Sequence, residues 1–136
     1  MKPEVNEVTE WLQKAYLDLR SARVLLTHEP PVVETACFHC QQAVEKSLKA
    51  FLVWRGVAFE RVHSLSYLLD VCEGLTPELS SLRDRVDALT PYAVEVRYPG
   101  ASGEISLEDG QEALTTAEAV WEVVLDLMPA ESRSVE

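Results

Sequence analysis

The chain has 136 residues, 12 Lys plus Arg against 23 Asp plus Glu, and a formal net charge of −11, with 47% apolar and 26% charged residues. That length predicts one domain with a core of its own, and that composition excludes disordered and collagen-like classes. The acid excess argues against a free-standing DNA binder, because phosphate contacts need clustered Lys and Arg, but it leaves room for a local basic patch. No stretch reaches the ~18 apolar residues of a membrane span, and the acidic N-terminal stretch lacks the order of a signal peptide. Three cysteines make a disulfide framework a poor fit, so a reducing cytoplasm is the expected setting.

Helical periodicity dominates the chain. Val8, Leu12, Ala15, Leu19, Ala22 and Leu26 recur at steps of four and three, which places them on one stripe of a first helix ended by Pro30-Pro31. Ala36, Cys40, Ala43, Ser47, Phe51 and Trp54 form the stripe of a long second helix, widened by Val44, Leu48 and Leu52 and stopped near Gly56. His63 or Ser64 caps a short third helix with Leu65, Leu68, Leu69 and Cys72 inward, closed by Gly74.

Thr76-Pro77-Glu78 reads as a cap and first-turn proline for a fourth helix carrying Leu79, Leu82, Val86, Leu89 and Ala93. Pro91 inside it predicts a kink or a split. After the loop Pro99-Gly100-Ala101-Ser102-Gly103, Ser106 caps a fifth helix using Leu107, Leu114, Ala117, Val120 (or Trp121), Val124 and Leu127, with a frayed tail after Pro129. The expected fold is all-α, an up-and-down antiparallel bundle of four longer helices plus one short helix, in a single domain over 1–136 with its core at about 7–128.

Candidate chemistry is sparse. Cys37-Phe38-His39-Cys40 has a C-x-x-C spacing, with Cys72 and His63 as conceivable further ligands, but no second matching pair exists and no βαβ setting for a redox couple. Cys40 falls on an apolar stripe, where free cysteine acts as a small hydrophobe. Neither a metal nor a cofactor is expected. The three histidines, His28, His39 and His63, form no recognisable acid–base constellation, and P-loop, dinucleotide and hydrolase signatures are missing.

Charge is more informative in its distribution than in its total. Residues 46–61 carry Lys46, Lys49, Arg55 and Arg61 against Glu60 alone, while the stretch from Tyr98 to the end holds nine acids and one arginine. Lys46 and Lys49, at i and i+3, share a helix face. That face reads as a small phosphate-binding patch or, with more weight, as a solvated edge paired to the acidic fifth helix. Arg97-Tyr98-Pro99 adds an arginine in a defined place, suited to dipole compensation or to a fork of donors for phosphate.

Taken together, Ala15, Asp18, Leu19 and Ala22, then Cys40 through Leu52 with its QQAVEKSLKA string, then His63-Ser64-Leu65 and Arg97-Tyr98-Pro99, resemble the HEPN family (higher eukaryotes and prokaryotes nucleotide-binding domain). The resemblance implies a helical bundle that self-associates as a homodimer or higher oligomer. It also implies nucleotide as a ligand and a minimal nucleotidyltransferase as a partner. Many such proteins are metal-independent ribonucleases whose arginine is followed four to six residues later by a histidine. Arg97 resembles that arginine, yet no histidine follows it in the chain. Histidine is the side chain suited to exchanging a proton near neutral pH, whereas arginine stays charged. The sequence therefore points to a non-catalytic member binding nucleotide or phosphate through Arg97, Tyr98, Lys46, Lys49 and His63. The alternatives are a toxin-like ribonuclease with an unconventional base and a purely structural interaction module.

Overall fold

The structure, a computed structural model, describes residues 5–93 and 104–129. Five α-helices follow in order: α1 (Val5–Thr27), α2 (Val33–Trp54), α3 (Leu65–Glu73), α4 (Arg83–Asp87) and α5 (Leu107–Leu127). Two 3-10 segments, Pro77–Leu82 and Thr90–Ala93, flank α4, and there is no strand among the described residues. The all-helical bundle is the one expected from the apolar periodicity.

All six residues of the α1 stripe, from Val8 to Leu26, are buried. They pack mainly against α2, which lies at the centre of the molecule with α1 on one side, α5 on another and α3 across its C-terminal half. More than half of α2 is enclosed, including Gln41, Glu45, Ser47 and Lys49. An element with that much buried surface cannot keep a conventional polar face, and its ionisable groups must find partners inside the protein. α2 stops at Gly56, whose φ of +68° is left-handed and costs a glycine little. Ser64, not His63, caps α3, its hydroxyl accepting from the Tyr67 amide.

The fourth helix is the main departure from the sequence pattern. Leu79, Leu82, Val86 and Leu89 are buried as their spacing requires. The backbone delivers them as a 3-10 turn, a five-residue α-helix and a second 3-10 turn containing Pro91, so the split outcome holds. Thr76 precedes Pro77 without capping it, and its hydroxyl donates to the Glu78 carboxylate instead. α5 begins at a capping box in which the Ser106 hydroxyl and the Asp109 carboxylate each accept the other residue's amide. It crosses α1 and α2 closely at Gly110, where an added Cβ would lie 2.8 Å from Leu26 and 2.9 Å from Val33.

Candidate functional site

The site is built outward from two carboxylates that the helices bury. Asp18, between two leucines of α1, turns toward α2 and accepts from His39 Nδ1 through Oδ1 (2.8 Å) and from Lys46 Nζ through Oδ2 (2.7 Å). Glu45, one residue before Lys46, points to the other side of the same polar strip. Its Oε2 accepts from Lys49 Nζ and from His63 Nδ1, each at 3.0 Å. Each buried carboxylate thus holds one lysine and one histidine. The lysine in the second group also lies over the Trp11 ring, 5.3 Å from its centroid.

His63 is delivered by the loop after α2, which is braced where the Glu60 amide donates to the Tyr67 hydroxyl and Ser64 caps α3. Its side chain is 80% exposed while that of Glu45 is 3% exposed. An ionised carboxylate can only accept, so it is Nδ1 that carries the hydrogen, and the second ring nitrogen, Nε2, faces solvent. The fold presents an imidazole in a set orientation from a buried anion, an arrangement able to pass a proton or, when protonated, to hold an anion.

Two atoms within this strip are unmatched. Gln41 uses its carbonyl oxygen to accept from Gln42, but its Nε2 is buried with no partner among the described residues, and so is Glu45 Oε1. A buried unsatisfied group costs about 1–3 kcal/mol, so this turn of α2 is less comfortable than its packing suggests.

The residues singled out from the sequence divide as follows. Lys49 and His63 meet at Glu45, and Lys46 joins the neighbouring group at Asp18. The lysines do not form a solvated edge paired to α5, the reading that carried more weight. Their partners are Asp18 on α1 and Glu45 on α2, with the Lys49 side chain buried and that of Lys46 partly so. The link to α5 is made elsewhere, by Arg23 and Glu118 (2.8 Å). Arg97 and Tyr98 lie outside the described residues. Asp18 and Glu45, the anchors of the strip, carried no role in the sequence reading. The signals were an acid inside an apolar stripe and a glutamate four residues before a lysine.

Cysteine chemistry finds no support. Cys37, Cys40 and Cys72 are buried, and burial pushes Cys40 and Cys72 up to about 12. No group of three or more metal-ligating side chains stands together among the described residues.

Comparison with known proteins decides the family. The family model described as HEPN domain matches residues 8–127. The chain belongs to the HEPN domain family. A Methanocaldococcus jannaschii protein bearing the name "Putative toxin MJ1304" is 31% identical over 134 residues, covering 87% of this chain and 86% of the relative. Among solved structures, ST0689, described as an archaeal HEPN homologue, superposes with a TM-score of 0.71 at 28% identity, covering 88% of this chain and 96% of that one. TT1696 from Thermus thermophilus superposes with a TM-score of 0.73 at 27% identity, covering 90% and 99% respectively. The described segments also include no helix long and apolar enough to cross a membrane.

Proposed function

We propose that this HEPN protein is the non-catalytic component of a toxin–antitoxin-like pair, binding nucleotide or RNA phosphate as a homo-oligomer beside a minimal nucleotidyltransferase partner. The observation that carries the reading is the Glu45-held His63, exposed at the end of a strip that also bears Lys46 and Lys49. Two carboxylates balance two lysines there, which leaves the exposed His63 imidazole as the group facing solvent. Arg97 and Tyr98 supply, in this reading, a constant guanidinium and a ring for stacking. The likeness to a protein named as a toxin supports the setting, and the missing histidine after Arg97 supports the lack of cleavage.

Calorimetric titration of ATP and of short RNA into the protein tests it. Saturable binding is expected, weakened several-fold by His63→Ala and by Arg97→Ala. Binding that is undetectable, or unchanged in both variants, removes the claim. Recovery of a nucleotidyltransferase in a native pull-down tests the partner.

One observation favours a second reading, a ribonuclease. Such an enzyme needs a proton-transfer group beside Arg97, and a histidine oriented by a buried carboxylate is the arrangement used for that task. Labelled tRNA and mRNA incubated with the protein and EDTA separate the two. Cleavage lost in both His63→Ala and Arg97→Ala promotes the enzyme, and intact RNA with the wild type eliminates it.

A further inference from the structure

Away from the polar strip, a cavity of about 670 Å³ opens between the broken fourth segment and the first half of α5. The wall from the fourth segment is formed by Ala88, Leu89 and the half-buried Tyr92, with Arg85 beside them. The α5 wall is acidic: Glu108, Asp109 and Glu112 line it, and Thr116 continues it by one further turn. Asp109 is engaged in the capping box. Glu108 and Glu112 are exposed, and neither forms an ion pair among the described residues. Standing at i and i+4, they share a helix face and repel each other.

Acids in the first turn of a helix complement its dipole, and that accounts for Glu108 and Asp109. It does not account for Glu112, which lies in the second turn, or for Thr116. Thr116 is 5% exposed and lines the cavity, yet its hydroxyl makes no hydrogen bond among the described residues. The neighbouring Thr115 hydroxyl, by contrast, donates to the Gln111 carbonyl. A buried hydroxyl without a partner carries a desolvation cost. Here it presents an acceptor to whatever enters, four residues on from the Glu112 carboxylate.

We propose that this cavity binds an extended aliphatic polyamine. One ammonium group pairs with Glu108, the next pairs with Glu112 and donates to the Thr116 hydroxyl, and the methylenes between them lie against Ala88, Leu89 and Tyr92. The site is independent of the nucleotide reading above. Geometry selects the ligand class. No group of three or more metal-ligating side chains stands together among the described residues, so these carboxylates do not converge as a compact divalent ion requires. They are spaced about 6 Å along the helix axis, and an apolar wall faces them. Two cationic groups joined by a short hydrocarbon chain meet both conditions, and a tyrosine ring beside a cation adds attraction. A lone lysine side chain from a partner would fill only one of the two positions. Arg85 makes no ion pair among the described residues and opposes a cation in the cavity. A ligand held here touches both walls and ties residues 83–93 to α5.

Calorimetric titration of spermidine into the full chain at low ionic strength provides the test, with magnesium chloride and a short acetylated peptide carrying one lysine as the other arms. Saturable binding of spermidine at one site is expected. Glu108→Gln combined with Glu112→Gln should raise the dissociation constant about tenfold, Thr116→Val should raise it several-fold, and Arg85→Ala should lower it. Glu7→Gln combined with Glu10→Gln removes the same charge from exposed positions on α1 and should leave binding unchanged. Spermidine should also slow amide hydrogen exchange across residues 83–93, and circular dichroism confirms that each variant is folded. Binding that never saturates, or an equal loss in the α1 pair, would overturn the site in favour of diffuse attraction to an acidic protein. Weaker binding in Arg85→Ala would mean that the cavity prefers an anion and would overturn the assignment. Magnesium or the peptide binding as tightly as spermidine would overturn the extended two-charge geometry.

Discussion

Glu45 shows how one side chain sets the character of a whole surface. It is 3% exposed, and both of its donors, Lys49 and His63, converge on a single oxygen. Its removal leaves the Lys49 ammonium buried beside the Trp11 ring without its carboxylate. Breaking a buried pair from one side costs about 3–5 kcal/mol, whereas replacing both members by packed apolar groups is often neutral. Glu45→Ala is therefore expected to destabilise the protein by about 3–5 kcal/mol in urea unfolding, and Glu45→Leu combined with Lys49→Met to recover most of the loss. A Glu45→Ala protein as stable as the wild type would show that the pair contributes little. His63, exposed and held only through this carboxylate, should lose its fixed orientation in either variant, so phosphate affinity should fall even where stability is regained.

At the level of elements, the apolar stripes of α1, α2 and α3 were legible from spacing, because burial and helical pitch impose one period; of the α5 stripe Ala117, Val120 and Val124 are buried while Leu107 is exposed. The fourth segment shows the limit of that logic. Leu79, Leu82, Val86 and Leu89 are all inward, yet spacings of three and four suit 3-10 turns and short α-turns as well as a continuous helix. The polar strip was half legible. Lys46, Lys49 and His63 were visible, and the spacing of Glu45 four before Lys49 was a local signal, but Asp18 becomes an anchor only once α1 and α2 cross, a long-range fact that no local spacing encodes. The α5 crossing at Gly110 is similar: a glycine in a helix weakens it by about 1 kcal/mol relative to alanine, and the reason to tolerate that lies in Leu26 and Val33. Gly110→Ala should gain that propensity but overpack the crossing at a cost of about 1–3 kcal/mol, since the stiff Val33 side chain cannot turn away. The expected net result is a loss of about 1 kcal/mol and a melting point lower by about 4 °C. A higher melting point would mean that the helices slide apart at little cost.

For the molecule as a whole, the charge of −11 is managed by position. Acids crowd the stretch that includes α5, and one of them, Glu118, ties α5 to Arg23 of α1. The buried thiols add a second global dependence. Folded Cys40 and Cys72 keep their protons to about 12, Cys40 through burial first and its neighbours Cys37, Glu118 and Asp18 after that, against an ordinary value of 9.0. Above pH 9 the unfolded chain thus holds fewer thiol protons than the folded one, so stability falls as pH rises from 9 toward 12. Urea midpoints at rising pH should decline, and a Cys40→Ala, Cys72→Ala protein should decline less steeply; equal slopes would assign the loss to other groups. The broken fourth segment has its own consequence for how the molecule breathes. Residues 77–93 are held by single turns, whereas α2 is enclosed by helices along most of its length. Amide hydrogens there should therefore exchange through small local openings, while those of α2 wait for the whole bundle to come apart. The protein divides into a stiff half that carries Asp18 and Glu45 and a soft half that leads the chain toward Arg97.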